Sequence, residues 1–448
     1  IRLDLEAILE SLLRLEHREK VQGQQARILV VRDLGKDFLV EQADKHMGNF
    51  IQQEKRRQFY KQFCPFWYDL ADEPYALYDV LYFSQADLLR IQQAATAIIH
   101  VYHKTAGLLQ QMKSDTYRDL GFPKAAFPFL SHTTLSVPSI IQRLDMVPEG
   151  TKWKHYELNS DTPTFIMECY QINDQVAKHF GYLPINDGKK QELVQIISAA
   201  IQESLAICGF SQTNAKIVFT AHRESVEDWE TTCYLAGLFS NLSPEVLALN
   251  DLRIVTGEGL YTPKGERIHL LYRQTYPLEF LMQDQDEKTG EAVGVELLHL
   301  VLQKKLAICN PISAFLLQSK AVQALIWGLH EMGHTCYTEA EHQMIQDHFL
   351  PTYLDADYFL STRIPYVKKP VFGREGAAVQ IYQSDCNNHA QQFGDYDKQL
   401  KVYQKFVSSP QKEIQSPVGR CMAHILVGCF VIGNQVGAMG ARAGNLIT

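Results

Sequence analysis

The sequence has little with which to build a cross-linked or membrane-spanning protein. Its nine cysteines, at 64, 169, 208, 233, 309, 336, 386, 421 and 429, contain no C-x-x-C pair and are odd in number. Neither a disulfide framework nor a cysteine-zinc ribbon is expected from such a pattern. The longest apolar run, ILVGCFVIG at 425–433, is far shorter than the roughly 20 residues that span a bilayer. The start of the chain has no signal-peptide pattern. Excess positive charge is missing too: 43 Lys and Arg against 51 Asp and Glu leave a net charge of −8, which argues against nucleic acid as a partner. No internal repeat or low-complexity tract is visible. The expectation is a cytoplasmic globular protein without a membrane partner, its oligomeric state open.

What is present is a chain of 448 residues, long enough for one large domain or two to three interlocked ones. Residues 1–63 carry Leu3, Leu5, Ile8, Leu9, Leu12 and Leu13 at helical spacing among many charges, so a helical N-terminal segment is expected. The run 86–118 predicts a long amphipathic helix. At 139–167 two alternating runs flank a Pro-Glu-Gly-Thr turn, the pattern of a β-hairpin. Strand and helix patterns then alternate, with a strand near 215–221, a hairpin around 259–273 and helices near 228–239 and 318–330, before a strand-rich section at 367–382 and 423–444. Such alternation predicts an α/β or α+β enzyme.

One short motif stands out. His330-Glu331-Met332-Gly333-His334 is a literal H-E-x-x-H, in which two His at i and i+4 of a helix bind zinc and the Glu polarises a metal-bound water. Tyr337 and Ala340 stand where one extension of the motif needs Gly and His. Asp355 or Asp357 could still supply a third ligand, which keeps a zinc metallopeptidase as an alternative. Gly333 is also a natural helix C-cap, and His330 borders the apolar stripe Val322, Leu325, Ile326, Leu329, Met332. Packing of a helix end is the preferred reading.

Three further constellations point elsewhere. In VKKPVFGREGAAV, 367–379, a strand, a Gly-rich loop and a second strand would let backbone N–H groups face phosphates beside Lys369 and Arg374; an ordinary hairpin turn has the same pattern. In the 139–167 hairpin, Arg143 and Asp145 share one face of the first strand, and Glu157 and Asn159 one face of the second. An Arg, two acids and an amide suit a magnesium ion next to a phosphoryl group, though a solvated polar face would read alike. Around Arg442, glycines 433, 437, 440 and 444 mark another place of close backbone approach.

Together with NPISAFLLQSKAVQALIW at 310–327, these segments resemble the ATP-grasp synthetase domain of the glutathionylspermidine synthase family over roughly residues 65–448. The resemblance rests on the order of R-x-D, E-x-N-x-D-T, the N-P-I to S-K-A block, K-P-x-x-G-R-E-G, Y-Q, and G-A-M-G-A-R to L-I-T. It implies a permuted, glutathione-synthetase-like ATP-grasp fold, without the amidase half of some relatives. Residues 64–310 would then be the pre-ATP-grasp and substrate region, and 311–448 the nucleotide-binding region with a lid at 369–378. It also implies an ATP- and Mg2+-dependent ligase that joins a carboxylate of peptide or amino-acid type to a polyamine-like amine through an acyl phosphate. Carried over by motif, Asp145, Glu157 and Asn159 would bind magnesium, while Arg143 and Arg442 would stabilise the transferring phosphoryl group. Lys320, Lys369 and the loop Gly373, Arg374, Glu375, Gly376 would meet the ATP phosphates. Gln404, Lys405 and Phe406 would line the adenine pocket, Ile447 would touch the nucleotide, and Thr162 would lie near the substrate carboxylate. Ala378 departs from the Asn expected there, so a nucleotide-binding relative without turnover is a further alternative.

Overall fold

The computed structural model describes residues 51–448 except 71–72, 275–277, 374–375, 384–387, 390–394, 417–418 and 447–448. Of the expected N-terminal helix, residues 51–60 are described and helical, and 1–50 lie outside the described residues. Lys55–Thr448 forms one compact unit, distinct from Ile1–Glu54.

Helix α1, Gln85–Leu109, is capped by Ser84, whose hydroxyl accepts from the Asp87 N–H, and it buries Ile91, Ala95, Ile98 and Tyr102 on one side. It ends earlier than its expected limit at 118, and a separate short helix follows at Ser114–Asp119. Residues 111–115 are all exposed, so continuing the helix would bury nothing, and burial supplies most of a helix's stability in a protein.

The hairpin forms as strand β1, Ile141–Glu149, and strand β2, Lys152–Asn159, turning at Gly150 with φ +62°. Helices α2, Lys189–Ile207, and α3, Val226–Leu238, lie among four parallel strands: β3 Ile217–Ala221, β4 Glu245–Ala248, β5 Leu270–Gln274 and β6 Ala307–Cys309. The spatial order is β6-β5-β3-β4. β5 had been expected within a hairpin; that hairpin pairs Gly259–Tyr261 with Arg267–Ile268 instead.

Helix α4, Ala321–Glu331, leads to α5, Glu339–His348. Thr338 and Glu341 close a reciprocal capping box at the start of α5, and Glu341 also holds Lys104 and His100 of α1 at 2.6 and 2.8 Å. An antiparallel sheet follows, built from β7 Thr352–Tyr353, β8 Tyr366–Pro370, β9 Gln380–Tyr382, β10 Asn388–His389 and β11 Lys401–Lys405, in the order β7-β11-β8-β9-β10. The chain closes with β12 Gln411–Ser416, β13 Gly419–Ile432 and β14 Gln435–Gly444. β13 pairs with β1 as well as with β12 and β14, so the hairpin is completed by strands that arrive nearly 300 residues later.

The expected mixed helix and sheet class is what the structure has. One core runs beneath the hairpin, joining Ile91 and Tyr102 of α1, Leu144 and Met146 of β1, Val322 and Ile326 of α4, and Val402 of β11. Among the described residues no helix is long and apolar enough to cross a membrane.

Candidate active site

The register of the hairpin sets the charges. Arg143 lies opposite Asn159, and Asp145 opposite Glu157, so period-2 alternation puts all four side chains on one face. Asp145 accepts two hydrogen bonds from Arg143, at 2.8 and 3.2 Å. It also accepts from Arg442 at 2.6 Å and from the Asn159 amide at 3.3 Å. Arg442 reaches Asp145 because β14 and β1 flank β13, with small residues between: Gly428 of β13 sits opposite both Asp145 and Gly440. A Cβ on Gly440 would come within 2.7 Å of Asn173 and 2.8 Å of Cys169 and Phe165, so only glycine fits there.

Beyond Asp145 the register slips between Asp145 and Met146, which pairs with His155. Tyr156 is therefore the extra residue of a β-bulge. Bulges re-aim side chains, and here Tyr156 lines the same cleft as Glu157 although the two are consecutive.

The cleft has a volume of about 820 Å³, counting space open to solvent. Its polar walls include Asp145, Glu157, Lys320, Lys369 and Gln404, and its apolar walls include Val367, Ile381, Phe406 and Leu446. Along β8, Val367 and Lys369 share a face, and so do Gln404 and Phe406 at the end of β11. β8 thus runs from an apolar residue to a polar one, and the end of β11 from a polar one to an apolar one.

Lys320, at the N-terminal boundary of α4, donates to the Gly373 carbonyl at 2.7 Å and pairs with Glu157 at 3.1 Å. Burial opposes ionisation of Glu157, but Lys320 and Lys369 outweigh it and hold the carboxyl at about 2. Burial, partly offset by Glu157, pulls the Lys369 ammonium down to about 8. Arg143 stays charged, since Asp145 outweighs its burial and raises its pKa. Four cations thus surround two carboxylates, a surplus of positive charge suited to a polyanion.

The glycine loop is sterically specified. A Cβ on Gly373 would lie 2.3 Å from Pro370, while Gly376 has φ +71° and Ala378 φ +56°, a conformation that Asn tolerates better than Ala. Gly373 and Gly376 both line the cleft. Arg374, Glu375 and Ile447 lie outside the described residues.

Of the other expected site residues, Lys405 and Phe406 line the cleft, and Lys405 also pairs with Glu149 at 2.7 Å. Thr162 is buried in a loop below Arg143 rather than in the cleft wall; Arg143 donates to the Thr164 carbonyl at 2.9 Å. Sequence reasoning gave no role to the residues that fasten this loop. Asp161 pairs with Arg273, Asn310 donates to the Asp161 carbonyl at 2.6 Å, Gln318 accepts from the N–H groups of Ser160 and Asp161 at 2.9 and 3.2 Å, and Gln274 donates to the Thr162 carbonyl at 3.2 Å. Asn310 and Gln318 do lie inside the NPI to SKA block, which was the available signal.

Two acids and an amide on one face form a hard-oxygen donor set that fits Mg2+, with Asp145 and Glu157 directly opposed across the hairpin. The H-E-x-x-H segment has no comparable arrangement. Met332 caps α4 and Gly333 takes φ +59°. The Gly333 N–H bonds the His330 carbonyl and the His334 N–H the Leu329 carbonyl, a Schellman stop that takes His334 off the helix. His330 contacts His342 and Gln346, each at 3.1 Å, and His334 accepts from the Cys336 N–H at 3.1 Å. Glu331 accepts from Tyr353 at 2.6 Å. Among the described residues no group of three or more His, Cys, Asp or Glu side chains is placed to hold a metal.

The chain is similar to several known proteins. A protein of Haemophilus influenzae, named provisionally as an acid–amine ligase, is 24% identical over 316 residues, 68% of this chain and 70% of its own length. Trypanothione synthetase of Crithidia fasciculata is 21% identical over 363 residues, 77% of this chain, which spans about half (51%) of that relative's length. The apo structure of a glutathione synthetase-like effector from Globodera pallida superposes with a TM-score of 0.48 at 11% identity, over 81% of this chain and 84% of that one. Residues 49–448 match the glutathionylspermidine synthase preATP-grasp family, and the chain belongs to it.

Proposed function

We propose that the protein is a carboxylate–amine ligase that uses Mg2+ and ATP and proceeds through an acyl phosphate. Support comes above all from one observation: Asp145 and Glu157 stand opposed across the hairpin at the wall of a cleft, with Arg143, Arg442, Lys320 and Lys369 around them. The substrates on this reading are a small peptide-like or amino-acid-like carboxylate and a polyamine-like amine, in keeping with the family name and with the names of the two relatives.

A carboxylate is a poor electrophile because its leaving group would be oxide. Its oxygen attacks the γ-phosphorus, the bond to the β-phosphate oxygen breaks, and ADP leaves. The amine nitrogen then attacks the acyl carbon, the C–O bond to phosphate breaks, and the ammonium protons that the amide does not keep pass to phosphate and solvent. Magnesium, held by Asp145, Glu157 and Asn159, would supply Lewis-acid neutralisation of the phosphate oxygens. Arg143 and Arg442, both anchored on Asp145, are directed to the transferring phosphoryl group, where fixed positive charge is most effective as charge develops. Lys320 and Lys369 orient the phosphate chain, and the loop at 373–376 limits water at the acyl phosphate.

Incubation with Mg-ATP, a panel of thiol peptides or amino acids, and polyamines is expected to release ADP and phosphate only when an acceptable carboxylate is present, with the amide detected by mass spectrometry. Absence of calorimetric ATP binding in the presence of magnesium would overturn the reading.

A further inference from the structure

Lys369 is 8% exposed, and what fixes its ammonium lies behind it. Its Nζ donates to the Gln404 side-chain oxygen at 2.7 Å. The Gln404 amide nitrogen donates to the Gln323 side-chain oxygen at 2.6 Å and to the Thr352 hydroxyl oxygen at 3.2 Å. The Gln323 side chain also lies close enough to Tyr102 to counter part of what burial does to its hydroxyl. The Tyr102 hydroxyl meets His155 Nε2 at 3.0 Å, and His155 Nδ1 meets the His348 carbonyl at 3.1 Å. All six side chains are buried.

The donor and acceptor at every link can be deduced from both ends. A backbone carbonyl can only accept, so His155 Nδ1 carries the hydrogen, and in this buried, neutral ring Nε2 accepts from Tyr102. The Gln323 oxygen accepts from Gln404, which leaves its NH2 as the group that can meet the neighbouring Tyr102 oxygen. From the other end, an ammonium can only donate, so the Gln404 oxygen faces Lys369 and its NH2 faces Gln323. Thr352 agrees independently. Its hydroxyl hydrogen goes to the Leu350 carbonyl at 2.8 Å, so toward Gln404 it accepts. The chain runs in one direction from Lys369 to His348 with no conflicting link, across β8, β11, α4, α1 and β2.

We propose that Gln323 is a positioning residue for Lys369: by fixing the orientation of the Gln404 amide it holds the ammonium where the nucleotide phosphates arrive, with Tyr102 and His155 as the far anchor. This rests on the nucleotide-binding role proposed above. It also gives the Gln404 side chain a task other than reading a base, since its oxygen and both amide hydrogens are committed to Lys369, Gln323 and Thr352.

The test is isothermal titration of Mg-ATP and of adenosine, with melting curves, on wild type, Gln323→Met, Gln323→Glu and Tyr102→Phe. Gln323→Met keeps the side-chain length and removes the acceptor. A hydrogen-bond network ending on a charged group is strong enough that ATP affinity is expected to fall about tenfold while adenosine affinity changes less than about twofold. Gln323→Glu, protonated in this buried setting, presents the same acceptor to Gln404 and a donor to Tyr102, and should recover ATP binding to within about threefold of wild type. Tyr102→Phe keeps the ring and cuts the chain one link further away, with an expected loss of about threefold for ATP alone. Equal losses for ATP and adenosine, or unchanged ATP affinity in Gln323→Met and Tyr102→Phe, would overturn the inference and leave the ligase reading intact. A wild type that binds no ATP would overturn both.

Discussion

The end of α4 and the β1/β2 hairpin carry comparable numbers of metal-ligand residue types, and only the hairpin arranges them to act together. At 330–334 the motif is contiguous, but Gly333 ends the helix and His330, Glu331 and His334 take separate partners. In the hairpin the relevant side chains are two residues apart on each strand, and two antiparallel strands add them to one face together with Arg442 from almost 300 residues away. Contiguity in sequence is a poor guide when one backbone dihedral decides which side chains share a face.

The largest test of that contrast is Glu157→Gln against His330→Ala. On the proposed role of Glu157, its replacement should lower kcat/KM by about 10³-fold, on the scale of losing one preorganised electrostatic group, whereas His330→Ala should stay within about twofold, as expected for a substitution away from the chemistry. A drop of similar size in both variants, measured by ADP release, would erase the distinction.

A smaller effect comes from pH. The Lys369 ammonium, held at about 8, is lost as pH rises through that value, so kcat/KM for ATP should fall up to tenfold per unit above it. Stability should move the opposite way. Between about 8 and the ordinary lysine value the unfolded chain binds more protons, so this residue's contribution to folding free energy rises with pH. Glu157 acts at the other extreme: held at about 2, it stabilises the fold above the ordinary glutamate value and loses that contribution as pH falls toward 2. Lys369→Arg, charged throughout, should remove the alkaline limb of the ATP profile; a limb that persists would assign it to another group.

The smallest expected effect is Gly333→Ala. A Cβ at φ +59° costs about 1 to 2 kcal/mol, so the melting temperature should drop by a few degrees with activity kept. Lost activity at unchanged melting temperature would mean that the α4 terminus communicates with the cleft.

Much of the site was legible because a strand's period of two is rigid: Arg143 with Asp145, and Glu157 with Asn159, could each be put on one face of their strand from spacing alone, and the register of the hairpin then joined the pairs. Tyr156 was not, because a bulge breaks the period that the reading relies on. The helix expected over 86–118 overran because its propensity continues past Leu109 while its buried stripe does not. Gln323 and Gln404 are 81 residues apart, and nothing local in either sequence context marks a buried amide pair. The clamp on the 160–164 loop was hidden for the same reason, since Asn310 and Arg273 meet it only through the tertiary fold.

The bulge at Tyr156 has an evolutionary corollary. Removing that single codon would leave a regular ladder in which Asp145 still faces Glu157 and Met146 still faces His155. The register that opposes the two carboxylates would survive, while the cleft would lose the aromatic wall that bonds the Val407 carbonyl and lies 5.5 Å from the Lys369 ammonium. A one-residue deletion at this point would change the width of the cleft while leaving its carboxylates in place.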